Sequence, residues 1–325
     1  MIKLVQLIQS EMEQLPEDWQ EAALDINGNR GSDHVIQALP IAHLVQELRR
    51  RVIRASIAQS EAERLLLSRE LDDALREDQL EVYYLPVIDI STGTIARAEA
   101  LLRWNHPYKG LLTPAAFLGI AQQNGMANCI TLDVLEQSIT CSNRWRDLSD
   151  KAFPININES PASFVTPDLM DQWRARLTEI GLSGSHISLE LSPTSLNNIH
   201  ACAFNPVRSL GLAGLRLHLA IDQLGTEPSA FEGLQEFKAD CVKVDRELIN
   251  DAAQGGDSDR ILESTIAIAH AIDAQVVAEG VENDEQLQYL SRCGCDYAQG
   301  FQVSMPLRQD DFEVLLERNR QKETA

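Results

Sequence analysis

Four things are scarce in this chain of 325 residues: basic charge, cysteines at paired spacing, long apolar runs, and a cleavable N-terminal signal. Lysine and arginine number 28 against 49 acidic residues, a formal net charge of -21. That field repels nucleic acid and anionic membrane unless a local basic patch reverses it, so no nucleic-acid partner is expected. The six cysteines, Cys129, Cys141, Cys202, Cys241, Cys293 and Cys295, follow neither a disulfide framework nor a four-ligand zinc pattern. A reduced, cytoplasmic protein is the expectation. No apolar run is long enough to cross a bilayer. Leu4, Val5, Leu7 and Ile8 are followed by Glu11 and Glu13 with no small-residue cleavage site, which argues against a signal peptide and for no direct membrane insertion.

What is present suffices for a large core. Hydrophobic residues make up 44% and charged residues 24%, the balance of a globular protein. The length accommodates a barrel of about 250 residues plus an extra element. Residues 1–24 read as short helical pieces broken at Pro16, and 25–32 as a Gly/Asn/Ser loop. From Pro40 to about Glu77, apolar residues such as Leu44, Leu48, Val52, Leu67, Leu71 and Leu75 recur at helical spacing, predicting one long amphipathic helix. Such a helix is too long for one small neighbour to bury, which suggests a linker or dimer helix. Its Arg49, Arg50, Arg51 and Arg54 cluster reads as a solvated face.

Beyond it, β-rich runs alternate with helical ones, as in β/α units around a parallel sheet or barrel. Candidate strands are 80–88, 95–102, 155–158, 187–191, 215–221, 241–244, 275–278 and 297–299. Polar residues collect at their ends: Glu99 and Arg103, Asn158, Glu190, Asp222, Lys243, Glu279 and Glu282, and Gln299. In a TIM-like barrel the C-terminal strand ends converge on one face, where chemistry gathers. Several acids and a lysine there would be costly to hold together without a cation to balance them.

The run Glu99-Ala100-Leu101-Leu102-Arg103-Trp104-Asn105-His106-Pro107, with Gly110, Pro114 and Phe117, resembles the signature of the EAL family, whose members hydrolyse or bind cyclic di-GMP. Further matches follow in family order: Asn158-Glu159-Ser160-Pro161, Glu190, Asp222, Val242-Lys243-Val244-Asp245, Glu279-Gly280-Val281-Glu282 and Gln299-Gly300. The resemblance spans roughly residues 78–310. It implies an α/β fold, a TIM-like (β/α)8 barrel of the EAL type over 78–325, preceded by an N-terminal helical segment over 1–77. It also implies Mg2+ or Mn2+ held by Glu99, Asn158, Glu190, Asp222 and Glu279 in an active member, and allows no bound metal in a degenerate one. Glu99, Lys243 and Glu279 would take the catalytic roles. Arg103, position 85, Pro114, Gln299 and Glu282 would serve ligand binding, Glu282 by supporting the loop after Glu279.

Four departures from the family pattern bear on turnover. Asp222-Gln223 stands where two aspartates are usual, so a carboxylate for the second metal has become an amide. The following loop reads Gly225-Thr226-Glu227-Pro228-Ser229-Ala230, stiffer than the usual glycine-rich form. Pro193 occupies the place of a glutamate that commonly braces that loop, and Leu85 that of a glutamine which touches the dinucleotide. Arg97 and Gln122 are smaller departures, from a common glycine and a common glutamate. The resemblance therefore implies a cyclic di-GMP receptor with little or no hydrolysis, relaying to a protein partner through the N-terminal helix. An active phosphodiesterase yielding linear pGpG, and a nucleotide-independent interaction module, stay open as alternatives. A homodimer is expected from the family's pairing habit and the long helix.

Overall fold

The computed structural model describes residues 63–149, 153–158, 187–191, 218–221, 239–252 and 256–323, with isolated helical residues between 171 and 179. The expected helical pieces and loop of residues 1–32, the arginine cluster, Pro193 and the segment from Asp222 to Ala230 lie outside the described residues. The chain divides into two units, Met1–Glu70 and Leu71–Ala325. Of the expected long helix, residues 63–76 are described and helical (α1). Leu71 and Ala74 are buried, while Leu65 and Leu66 are exposed.

In the second unit, β1 (Leu80–Asp89), β2 (Ile95–His106), β4 (Ile155–Asn158), β5 (Ile187–Leu191), β6 (His218–Ile221), β7 (Cys241–Val244), β8 (Gln275–Ala278) and β9 (Tyr297–Ala298) pair in a ring. The ring closes because β1 pairs with both β2 and β9. From β2 through β9 the ring pairings are parallel, but β1 runs antiparallel to both neighbours. The fold is thus a TIM-like barrel with one reversed strand. A hairpin turn suffices to join β1 to β2, and Asp89 builds it, its carboxylate accepting from Ser91 N–H at 2.8 Å and Thr92 N–H at 3.0 Å. A short β3 (Gly110–Leu112), absent from the sequence expectation, extends β2 outward as a second hairpin.

Helices cover the outside. Among the described residues these are α2 (Pro114–Gln123), α3 (Ala127–Ser149), α4 (Arg246–Ala252), α5 (Asp257–Ala271), α6 (Asp284–Cys293) and α7 (Gln309–Glu323). Pro114 opens α2, where its missing N–H costs no helical bond. Asn283 caps α6 by accepting from Gln286 N–H, and Gly294 ends it in the left-handed conformation.

Alternation along β1 and β2 separates two environments. Leu80, Val82, Tyr84, Ala98, Ala100, Leu102 and Trp104 are buried toward the helices. Tyr84 meets Trp145 edge-on at 4.7 Å, and Trp145 stacks on Phe312 at 4.4 Å. Phe153 completes the group, edge-on to Trp145 at 5.4 Å. The two polar ends inside this cluster are satisfied: Tyr84 Oη donates to Cys141 Sγ and Trp145 Nε1 to Glu313. The alternate positions, Arg97, Glu99 and Arg103, belong to the barrel interior.

Candidate functional site

The strand ends deliver their polar side chains to one buried cluster. Lys243 on β7, 1% exposed, is the hub: its ammonium lies 2.9 Å from Glu99 on β2, 2.7 Å from Glu190 on β5 and 2.5 Å from Glu279 after β8. Backbone pairing fixes these positions. Glu279 N–H donates to Val244 C=O, continuing the β7–β8 register one residue past β8, and Gln299 N–H donates to Ala278 C=O. Gln299 Nε2 then donates to Glu99 at 2.6 Å and to Glu279 at 2.9 Å. Asn158 Nδ2 donates to the other Glu99 oxygen at 2.7 Å.

Gly300 lets Gln299 sit there. Its φ is +149°, and a Cβ would overlap the backbone N and O of Val281, atoms that cannot yield without moving the loop. Gly280, with φ +64°, is covered by the Arg246 side chain, whose guanidinium pairs with Glu282 at 2.6 Å. Glu282 thus ties the loop after β8 to the start of α4, away from the Lys243 hub. The sequence reading missed Arg246, although it directly follows the Val244-Asp245 end of a motif already singled out.

Three carboxylates against one ammonium leave two negative charges unbalanced if all ionise. The imbalance is shared unequally. Burial acts to raise the pKa of Glu99, but Lys243 and the donors on Asn158 and Gln299 outweigh it, so the carboxyl ends below its ordinary value. Glu190 has only the lysine as donor, and its Oε1 is buried with no partner among the described residues. Burial, reinforced by the Glu99 charge, pushes its carboxyl up to about 8. An oxygen-rich donor set with excess negative charge and a bare carboxylate oxygen is what a hard divalent cation takes. Glu99, Asn158, Glu190 and Glu279 are described residues that could hold one.

Arg103 sits further out on β2, donating to the Leu102 carbonyl at 2.8 Å with its guanidinium 6.0 Å from the Tyr83 ring centroid. Partial burial lowers its pKa, a shift opposed by Tyr83 and Glu99. Leu85 is directly opposite Glu99 in the β1–β2 register and half-buried. Pro114 is in the first turn of α2, with its structural role at the helix start already accounted for. Asp222 lies outside the described residues. A second group of ligand-type atoms, on Asp259, Glu263 and Cys293, comes within 4.8 Å on α5 and α6. Tyr289 donates to Asp259 there, and the group is separate in sequence and element from the barrel mouth.

No helix among the described residues is long and apolar enough to cross a membrane. The EAL domain model matches residues 68–306. The chain is 32% identical over 245 residues to the bifunctional diguanylate cyclase/cyclic di-GMP phosphodiesterase MucR of Pseudomonas aeruginosa, covering 75% of this chain and 36% of that protein. It is 33% identical over 246 residues to the cyclic di-GMP phosphodiesterase NbdA of the same organism, covering 75% of this chain and 31% of that one. The chain therefore spans about a third of the length of these relatives. Among solved structures, the MucR phosphodiesterase in complex with c-di-GMP superimposes with a TM-score of 0.70 at 31% identity, covering 76% of this chain and 99% of that one. With the matched segment covering most of the chain and the strand-end cluster in place, the chain belongs to the EAL domain family.

Proposed function

We propose that this chain binds cyclic di-GMP at the barrel mouth and hydrolyses it slowly, acting chiefly as a receptor. The observation that carries the binding site is the convergence of Glu99, Glu190 and Glu279 on Lys243, with Asn158 and Gln299 fixing Glu99 from two further strands. A pair of Mg2+ or Mn2+ ions, held by Glu99, Asn158, Glu190, Asp222 and Glu279, would supply an activated water and offset charge on the phosphodiester. The chain's own residues do the rest. Lys243 holds three carboxylates together and keeps a positive charge beside the scissile group. Gln299 locks Glu99 to Glu279, and Arg103 offers a planar two-pronged donor to a phosphate.

Slow turnover rests on Gln223, which replaces a carboxylate by an amide beside Asp222 in sequence, and on Glu227 and Pro228, which stand where the family usually has a glycine-rich sequence. An amide oxygen can coordinate but carries no charge, so the second cation is held weakly. Leu85 removes one hydrogen bond to the dinucleotide and weakens binding without abolishing it. We place dimerisation and relay to a protein partner on the N-terminal helix.

A second reading, efficient hydrolysis to linear pGpG, is favoured by relatives named as phosphodiesterases at 32% and 33% identity. One assay separates the two: purified chain with cyclic di-GMP and Mn2+, products resolved by chromatography, beside the Gln223→Asp variant. The receptor reading expects saturable binding by the parent chain and a rise in pGpG formation of about tenfold or more on restoring the acid. Brisk product from the parent, unchanged by Gln223→Asp, overturns it. No binding and no product from either protein leaves a nucleotide-independent interaction module.

A further inference from the structure

Two residues before Asn158 and Glu190, and level with Glu99 in the β2–β4 register, the barrel interior carries polar groups that the proposed metal and nucleotide contacts leave unused. Asn156 on β4 and Ser188 on β5 are direct partners across neighbouring strands. Each stands two residues before a site residue, Asn158 and Glu190, and so faces the same way. Asn156 is 0% exposed and Ser188 1%. Among the described residues, Oδ1 and Nδ2 of Asn156 and Oγ of Ser188 all lack a hydrogen-bond partner. So do Glu190 Oε1, one step up β5, and Arg97 Nε on β2, the strand on the other flank of β4.

Buried polar atoms are nearly always paired with protein or ordered water, because stripping them of water without replacement is costly. Here several bare atoms occupy consecutive inward positions of three adjacent strands. Their chemistry selects the occupant. Asn156 Oδ1 only accepts, Asn156 Nδ2 and Arg97 Nε only donate, Glu190 Oε1 accepts when ionised and can donate when protonated, and the Ser188 hydroxyl does both. A metal ion would satisfy the acceptors and leave the donors bare. An anion would satisfy the donors and meet the Glu190 carboxylate. A molecule small enough for a barrel interior that both donates and accepts is water, which needs two to four such partners. Strands about 4.8 Å apart, with same-face residues roughly 6.6 Å apart along each, put these groups within reach of a bridging water.

We propose that the barrel interior binds ordered water between Asn156, Ser188 and Glu190 Oε1, and that this water holds the Glu190 carboxylate from below. Asn156 and Ser188 are then positioning residues, acting on the site through the water rather than touching the substrate. The water itself stands independently of the cation reading above, whereas its effect on metal affinity rests on that reading.

A metal-free crystal structure of the whole chain tests the site directly. Expected is a water oxygen roughly 2.6–3.2 Å from both the Asn156 amide and Ser188 Oγ. A dry interior in which these atoms bond to protein groups overturns the proposal. Thermal melts of Asn156→Leu, Ser188→Ala and the double variant supply a second measurement. A shared water predicts that the double variant loses less than the sum of the single losses, because each single change strands the other partner. Strict additivity overturns the bridge. Calorimetric Mn2+ titration of Asn156→Leu, well below its melting temperature, reads the positioning role, with an expected weakening of about tenfold. Ser138→Ala, a buried serine of α3 outside the barrel, leaves Mn2+ affinity at the parent value. Equal affinity in Asn156→Leu and parent overturns positioning. If the parent takes up no Mn2+, the cation reading falls, while the crystal and melting outcomes still decide the water.

Discussion

The two faces of β1 and β2 solve opposite problems with the same backbone. Outward, Tyr84 packs with Trp145, Phe153 and Phe312 in a buried aromatic cluster whose polar atoms are bonded. Inward, β2 carries Arg97, Glu99 and Arg103 into a charged interior where several buried atoms lack partners among the described residues. Apolar burial stabilises the first face without any ligand. The second is a liability until charges and hydrogen-bonding groups are matched from outside. Stability is therefore concentrated on the outer face and ligand dependence on the inner one. Substitutions on the two faces should differ less in size than in whether a ligand changes their cost.

The largest effect is expected at the hub. Lys243→Met removes the ammonium from among Glu99, Glu190 and Glu279, leaving buried carboxylates uncompensated, a loss of about 3–5 kcal/mol. Urea unfolding with and without Mn2+ checks it. The loss should shrink with saturating Mn2+, which supplies positive charge to the same carboxylates. A loss of equal size in both conditions would break the comparison, because the inner face would then behave like the outer one.

Trp145→Ala is the counterpart on the outer face. Trp145 is fully buried against Tyr84, Phe153 and Phe312, and its truncation should cost about 3–5 kcal/mol with or without Mn2+. Cyclic di-GMP affinity, measured below the lowered melting temperature, should match that of the parent. Reduced affinity in the folded variant would show that the aromatic cluster sets the geometry of the mouth.

How much of this was legible beforehand follows from the same division. Strands such as Ile155–Asn158, Cys241–Val244 and Gln275–Ala278 are short apolar runs with polar ends, because barrel strands are buried on both faces until the mouth is reached. The family resemblance, rather than that pattern, singled out Glu99, Asn158, Glu190, Lys243, Glu279 and Gln299, which the structure brings together. Pairing direction was legible for β1 and was missed: six residues separate the candidate strands 80–88 and 95–102, too few for the dozen or more that a parallel crossover needs, so the two must run antiparallel. β3 was missed because three residues are too few to show a period. The unequal behaviour of Glu99 and Glu190 was equally hidden. It depends on donors 59 and 200 residues away in sequence, which among the described residues bond Glu99 and not Glu190. Asn156 and Ser188 read as ordinary alternating strand residues, and what sets them apart is that they lack partners among the described residues.

Leu85→Gln sharpens the comparison from the inner side. Position 85 lies opposite Glu99 and is half-buried, so an amide there can reach the mouth without entering the aromatic cluster. Restoring the hydrogen bond should tighten cyclic di-GMP binding by about 1 kcal/mol, roughly fivefold. Unfolding free energy without nucleotide should be unchanged. Calorimetry of parent and variant under one buffer reads the first, and urea titration the second. A stability change without an affinity gain would place residue 85 with the structural face.

The smallest effect tests whether anything on these strands belongs to neither face. Asp89 ends β1 and accepts hydrogen bonds from Ser91 and Thr92 in the turn to β2. Burial acts to raise its pKa, but the Ser91 hydroxyl and the turn N–H groups outweigh it, leaving the carboxyl below the ordinary value of 3.8. A carboxyl lowered on folding stabilises above its unfolded pKa, and that contribution is lost as pH falls through the folded value. Because the side chain is largely solvated, Asp89→Ala should cost only about 0.5–1 kcal/mol. Urea titrations should show the gap between parent and variant constant from pH 7 to 5 and closing below about pH 4. Cyclic di-GMP affinity at pH 7 should not move. A gap that persists in acid would mean that the turn is held by the shape of the side chain rather than its charge, and an affinity change would extend the inner face to the end of the hairpin.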